Sequence, residues 1–348
     1  MNIQDRLSRL RRELKRKNVG AMLVAQPENR YYLSGFSGSD GYLFVSQREA
    51  VLATDFRYIE QAKIEAPDYR LVQIKQRLDW LDEITGRTRR LGFEEGFVTF
   101  AWQRHLAEAL KKTRPRLQLV PFDSIVEKLR LIKEPAEIAI IRRAADMTRK
   151  AFEYAGKIME AGMTELRLAW LVESFLRENG SQAVPFEVIC ASGPNAALPH
   201  ARPSERQIKA GEPVIVDIGA KLEYYCSDMT RTLCIGEPDD TYKKVHDTVR
   251  RAREAAVSAV RENATGGEVD RAARRVIEKT GYGDDFGHGL GHGVGLAVHE
   301  APRLGPGSRD RLKNGMVFTI EPGIYLTAWG GVRIEDDVLL ENGKASVI

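Results

Sequence analysis

Cysteine is scarce in this chain of 348 residues. Cys190, Cys226 and Cys234 make an odd number with no C-x-x-C spacing, so neither a disulfide framework nor a thiolate zinc site is indicated, and a reducing, cytoplasmic setting is expected. Long apolar runs are also missing. None approaches the roughly 18 residues needed to span a bilayer, and the opening MNIQDRLSRLRREL lacks the apolar stretch of a signal peptide, so an intracellular protein without a membrane partner is expected. There is little excess of either charge: 53 Lys plus Arg against 49 Asp plus Glu leave a formal +4, too little to demand a nucleic acid or an anionic surface. What remains is ordinary globular composition, 43% hydrophobic and 29% charged, with enough chain for two domains.

Ile3, Leu7, Leu10 and Leu14 recur at helical spacing while the arginines and lysines between them occupy the other, solvated face, so RLRRELKRK reads as part of one amphipathic helix; no aromatic residue interleaves the charges as nucleic-acid binding would require. Strand and helix signals then alternate. Strands are expected near 21–25, 42–45, 51–54, 69–74 and 91–93, with helices near 28–33, from 56, and over 101–111. This is an α/β domain, placed at residues 1–124. At LRLIKEP the pattern changes: Glu134 and Pro135 stand as first-turn acid and first-turn proline before a long helix over 136–159. The second domain, 125–348, reads as α+β. It has helices to about 179, strands near 187–191 and 213–218, helices around 241–262 and 269–279, strands near 317–321 and 332–340, and an Asn342-Gly343 hairpin turn.

Five of the six histidines lie in the second half; His246 sits in a helical pattern, whereas His200, His288, His292 and His299 lie among glycine and proline. Asp217 ends an apolar run in VIVDIGAKLEYYCSDMTRT, and Asp228 follows 11 residues later on a returning strand, where cross-strand pairing would bring both carboxylates to one face. Two such charges repel unless a cation lies between them, although an isolated pair could be satisfied by backbone N–H groups. The segment from His288 to Arg303 alternates glycine around His292, which would let the backbone crowd a bound object at unusual dihedrals. It contains no G-x-G-x-x-G or Walker pattern. His299-Glu300 is not a zincin helix either, because Pro302 interrupts it. Glu321 in FTIEPGIY and Glu335 in VRIEDD each follow a β-rich stretch, and an inward glutamate there is costly unless paired or metal-bound. Together Asp217, Asp228, His292, Glu321 and Glu335 supply four carboxylates and one imidazole, the charge that two divalent cations balance. Oxygen-dominated ligation without thiolate favours Mn²⁺, with Co²⁺ or Zn²⁺ as alternatives.

These motifs, in this order, resemble the metal-dependent pita-bread peptidases, in particular the Xaa-Pro peptidases: proline dipeptidase (prolidase) and aminopeptidase P. The likeness covers nearly the whole chain. PENRYYLSGFSGSDGYLFV, TDFRYIEQA and LGFEE are similar to the creatinase-type N-terminal domain, LRLIKEPAEIAIIRRAA to the linker helix, and the second half carries all five metal-ligand positions. The resemblance implies that Asp217 binds one metal, that Asp228 and Glu335 bridge both, and that His292 and Glu321 bind the other. It also implies hydrolysis of the bond preceding proline, with Glu321 accepting a proton from the nucleophile. His200, 17 residues before Asp217, and His299 match histidines suited to hydrogen-bonding the tetrahedral intermediate or passing a proton to the leaving nitrogen. Arg303 matches an arginine that holds a substrate carboxylate, and Phe186 and Val298 would wall the side-chain pocket. Short peptides with proline second are the implied substrates, and a homodimer the implied assembly. Arg303 favours the dipeptidase over aminopeptidase P, which shares every metal ligand; a non-catalytic binding module of the same fold is the remaining alternative.

Overall fold

The computed structural model describes residues 2–76, 78, 80–86 and 88–348. By its internal contacts the chain divides into two compact units, Met1–Arg130 and Leu131–Ile348.

In the first unit the leucine spacing produces α1 (Ile3–Arg16), with Leu7, Leu10 and Leu14 fully buried. Arg6 departs from the expected solvated face: it is buried over the Tyr32 ring and donates to the Tyr32 carbonyl at 2.9 Å, so an apolar contact and a carbonyl replace its water. The chain continues through β1 (Ala21–Val24), α2 (Pro27–Ser34), β2 (Tyr42–Ser46), β3 (Ala50–Thr54), α3 (Ile59–Glu65), β4 (Arg70–Gln73), α4 (Trp80–Thr85), β5 (Arg90–Glu94), α5 (Phe100–Thr113), β6 (Gln118–Phe122) and α6 (Glu127–Arg130). The strands form one sheet in the order β4-β3-β2-β1-β5-β6, parallel at β3/β4, β1/β5 and β5/β6 and antiparallel elsewhere. Leu23, Phe44, Val51 and Leu91 pack with Trp80 and Leu81 of α4 and Leu106 and Leu110 of α5. The sequence reading did not anticipate α4 or β6, because neither has a run long enough to show a period. Segment 125–130, assigned there to the second domain, packs on this unit: Tyr32 Oη donates to Leu129 O and Arg130 Nη1 to Asn29 Oδ1.

The second unit opens with α7 (Pro135–Ile158). Glu134 is its N-cap rather than a first-turn residue, and closes a capping box with Glu137. There follow α8 (Glu165–Glu178), β7 (Ile189–Ser192), β8 (Val214–Ile218), β9 (Lys221–Leu222), β10 (Tyr225–Cys226), β11 (Met229–Leu233), α9 (Asp240–Ala259) and α10 (Gly266–Lys279). The unit closes with β12 (Gly291–Gly293), β13 (Glu300–Leu304), β14 (Val317–Ile320), β15 (Gly323–Leu326), β16 (Gly330–Arg333), β17 (Asp336–Glu341) and β18 (Lys344–Val347). Two antiparallel sheets, β11-β8-β7 and β13-β12-β14-β17-β18, carry most of the strands, and β15-β16 form a separate ribbon. Val245, Val249, Ala252 and Ala256 of α9 and Val269, Ala273 and Ile277 of α10 bury against Phe318, Ile320, Val338 and Leu340 of the larger sheet. Asn342 and Gly343, both at positive φ, turn β17 into β18, as their sequence predicts.

The single strand expected over 332–340 is two strands. β16 pairs with β15, β17 pairs with β14, and the chain changes sheets at Ile334 and Glu335, whose amides donate to Pro322 O and Thr230 O. That corner turns a glutamate inward between the sheets.

Candidate active site

Asp217 lies near the end of β8, held by β-pairing to Ile189 on one side and Thr230 on the other. Its cross-strand partner is therefore Thr230 and not Asp228. The link between the two aspartates contains the short β9-β10 hairpin, and Asp228 stands just before β11, two residues from Thr230. Side chains two apart along a strand share a face, so the carboxylates still meet diagonally. Glu335 comes from the corner between β16 and β17, Glu321 follows β14, and His292 occupies the middle of β12. Ligand atoms of Asp217, Asp228 and Glu335 lie within 4.8 Å of one another. So do those of His292, Glu321 and Glu335, and those of Asp228, His292 and His299. Asp228, His292 and Glu335 each belong to two of these groups.

The glycines beside His292 serve a different purpose from the one expected. None of Gly289, Gly291, Gly293 and Gly295 has positive φ. A Cβ at Gly291 would meet Thr319 O at 2.1 Å and one at Gly293 would meet Ala301 O at 2.0 Å. The glycines thus admit neighbouring β14 and β13 backbone, and it is this squeeze that seats His292 among the carboxylates.

The polar accounting favours cations. His292 Nδ1 lies 3.1 Å from Gly293 O, which can only accept, so Nδ1 carries the proton and Nε2 presents a lone pair. That nitrogen is 3.6 Å from Asp228 Oδ2 and 3.5 Å from Glu321 Oε1, also acceptors. Burial and the neighbouring His299 push His292 down to about 4, keeping it neutral at neutral pH. Burial, then neighbouring carboxylates, push Asp228 and Glu335 well above the usual carboxylate range, and burial raises Glu321. Asp217 Oδ1 is buried without a hydrogen-bond donor. A cluster of acceptors facing acceptors, with an orphaned buried oxygen, is a donor set that divalent cations fit.

Protein donors satisfy only the outer edges. Arg333, 4% exposed, donates Nη2 to Asp217 Oδ2 at 2.6 Å, and its other nitrogens reach Thr230 Oγ1, Tyr325 Oη and Pro199 O. Thr230 Oγ1 donates to Glu335 Oε2 at 2.6 Å and Thr319 Oγ1 to Glu321 Oε1 at 3.2 Å. These contacts fix which oxygen of each carboxylate faces inward.

The cluster forms the floor of a cavity of about 560 Å³, whose walls include Phe186, His200, His288, His299, Arg303 and Arg333. His299 stacks obliquely 4.2 Å from His292, and burial lowers its pKa while Asp217 opposes that. His200 and Arg303 are exposed at the mouth; the Arg303 amide donates to Asp310 Oδ2, and register sets Arg303 opposite His292. Val298 does not wall the cavity. Its backbone carbonyl instead approaches the His292 ring, because the turn before His299 brings the main chain inward. His246, as expected, is elsewhere, stacked on Tyr242 within α9.

Arg333 and Tyr325 were not picked out from the sequence, and His288, singled out among the glycines, was given no role there. Arg333 and Glu335 are two residues apart, a period-2 signal that could have exposed the arginine. His288 Nε2 lies 2.9 Å from Tyr325 Oη, which also contacts Arg333. No local spacing announces the Tyr325 contact, since it joins the turn before β12 to β15.

Comparison with known proteins agrees with this geometry. Residues 139–342 match metallopeptidase family M24 and residues 6–132 match the creatinase/prolidase N-terminal domain. The chain is 38% identical to the Xaa-Pro dipeptidase of Pyrococcus furiosus, covering 98% of this chain and 97% of that one. The solved Xaa-Pro dipeptidase from Bacillus anthracis superimposes with a TM-score of 0.95 at 37% identity, covering 99% and 97% of the two chains. An X-Pro aminopeptidase from Thermotoga maritima gives 0.88 at 35% identity over 96% and 97%.

Proposed function

As the chain belongs to metallopeptidase family M24, with a creatinase-type α/β unit ahead of an α+β pita-bread catalytic unit, we propose that it is an Xaa-Pro dipeptidase. It hydrolyses the peptide bond before proline in dipeptides and short peptides with the aid of two divalent metal ions. The observation that carries this reading is the convergence of four carboxylates and the unprotonated nitrogen of His292 on one cavity floor.

In the proposed assignment Asp217 holds one ion, His292 and Glu321 hold the other, and Asp228 and Glu335 serve both. Glu335 groups with Asp217 and Asp228 on one side and with His292 and Glu321 on the other, and Asp228 groups with Asp217 and also with His292, which supports this. Mn²⁺ is the expected metal, from the predominance of hard oxygen ligands. When bound, the ions supply an activated water and polarise the scissile carbonyl.

The side chains around them do the rest. Glu321, on the cavity floor beside His292 Nε2, would accept the proton of the attacking water. His200 and His299, at the mouth and beside His292, donate to the oxygen that gains charge and return a proton to the proline nitrogen. Arg303, exposed on β13, takes the proline carboxylate in a bidentate grip, and Phe186 bounds the residue before proline. Proline has no amide N–H and a fixed φ, so a site that needs only the carbonyl and the carboxylate suits it.

Arg303 is the reason for preferring the dipeptidase over the aminopeptidase reading, which the likeness to the Thermotoga maritima enzyme keeps in play. Rates on Xaa-Pro and Xaa-Pro-Yaa peptides, measured side by side with Mn²⁺, test the choice: the dipeptide should be cleaved faster, and preference for the tripeptide would reverse it. Close to two metal ions per chain should be bound after loading, and none would leave a binding module. We assign the enzyme to the cytoplasm as a homodimer acting on short peptides, with no nucleic acid or membrane partner. Its scarce cysteine supports a reducing compartment, and its nearly balanced charge supports the lack of a nucleic-acid partner.

A further inference from the structure

Lys133 carries a buried charge near the active centre for which the proposed chemistry has no place. Its side chain is 1% exposed, and Nζ donates to Glu300 Oε1 at 2.7 Å; the Glu300 side chain is 9% exposed. Replacing such a buried pair by apolar side chains of similar volume is often neutral or stabilising, so stability alone does not account for it.

Both ends of the pair touch the site's framework. Glu300 follows His299 directly and pairs by register with Gly293, the residue after His292. Its carboxylate folds back over the glycine turn, such that a Cβ at Gly295 would meet Glu300 Oε1 at 2.4 Å. That turn in turn receives the Cys226 amide on Gly295 O at 2.8 Å, two residues before Asp228. At the other end, Lys133 N donates to Gly315 O, and Gly315 N donates to Leu340 O of β17. The Lys133 charge also acts on Asp337 of the same strand, whose Oδ2 accepts the Asp228 amide at 3.0 Å. One ammonium therefore stands between the turn bearing His292 and His299 and the strand whose carboxylate anchors Asp228.

Building on the reading of the site given above, we propose that Lys133 is a positioning residue: through its ion pair with Glu300 it holds the 293–300 turn, and so fixes His299 and His292 against Asp228. Lys133 touches neither substrate nor reacting atoms.

The test compares Lys133→Met, Glu300→Gln and the double variant Lys133→Met/Glu300→Met in the full-length protein. Steady-state kinetics on an Xaa-Pro dipeptide with Mn²⁺ and hydrogen exchange of the metal-free protein are the two readouts. Each single variant should lower kcat about tenfold or more with a smaller change in KM, the size typical of lost outer-layer support. Exchange across 293–303 should accelerate while α9 and α10 keep their protection. The double variant should recover its thermal midpoint, since both charges are gone, without recovering kcat. Recovery of kcat along with the midpoint would make the pair structural only and overturn the proposal. So would single variants with wild-type kcat and unchanged exchange. Should Lys133→Met not fold, Glu300→Gln decides, because it preserves size and an acceptor for Nζ. Exchange reads the turn without metal or turnover: if wild-type protein fails to cleave Xaa-Pro while the turn still loosens in the variants, the functional reading falls and the positioning role stands.

Discussion

Glu335→Gln should make the metal-free protein more stable and the enzyme inactive. The side chain is buried, and burial together with Glu321 and Asp217 raises its carboxyl well above the normal range. A group raised in this way favours folding below its unfolded pKa and loses that contribution as pH climbs through the folded value, so the ionised form is disfavoured in the metal-free fold. Thr230 Oγ1 donates to Oε2, which orients the glutamine with its carbonyl toward Thr230 and its NH₂ toward the remaining carboxylates. The amide then donates where a cation would sit. Replacing one repelling charge by a donor is worth about 1–2 kcal/mol, within the gains seen when buried charges are removed. At about 2–4 °C per kcal/mol for a chain of this size, the melting temperature in EDTA should rise by about 2–8 °C. Wild type at Mn²⁺ a hundredfold above its Kd should gain about 2.7 kcal/mol from the ion, a gain the variant should mostly lose. Differential scanning calorimetry with EDTA and with Mn²⁺, alongside dipeptide hydrolysis, measures all three effects. A variant no more stable than wild type without metal, and still active with it, would refute the assignment of Glu335 as a shared ligand.

Arg333→Met should destabilise the catalytic unit by about 3–5 kcal/mol, read from urea unfolding, because it leaves the buried Asp217 carboxylate without its cation. It should also slow turnover, since Arg333 holds the Pro199 carbonyl beside His200. Arg303→Met should raise KM for Xaa-Pro about tenfold or more while changing that for a tripeptide amide little, as expected when a carboxylate loses a bidentate partner. In the first unit, burial pushes Glu94 up to about 7 despite donation from the Ala25 and Gln26 amides and Asn29. An unfolded glutamate ionises near 4.5, so that unit should lose about 3 kcal/mol between pH 4.5 and 7 and change little above it. Hydrogen exchange of β1 and α2 at pH 5 and 7.5, corrected for intrinsic rate, measures the loss, and protection independent of pH would contradict it.

The residues that differ most from expectation mark where local pattern stops being informative. The run from Val332 to Leu340 looks like one strand because nothing local distinguishes a corner from a strand. The break at Glu335 exists because β15 and β14 claim the two halves. The glycines around His292 read as room for a ligand, yet they are filled by carbonyls of Thr319 and Ala301, residues brought alongside only by sheet order. Arg6 reads as solvated until Tyr32 of the next helix covers it.

Amino-acid order alone determined the two-part α/β and α+β organisation, the helices with long amphipathic periods, and the five acceptors suited to divalent metals. The helices follow from residue type at short spacing, where period leaves a local trace, and the acceptors from the kinds of residue set in each separate motif. Tertiary structure alone decided that Asp217 pairs with Thr230 while meeting Asp228 diagonally, that Arg333 and His288 line the same cavity with Tyr325 bonded to both, and that Val298 contributes backbone instead of side chain. It also decided that Lys133 reaches Glu300 across more than half of the second unit's sequence. Burial, orientation and low-dielectric charge coupling arise only when distant segments exclude water together, and no neighbour in the chain carries that information.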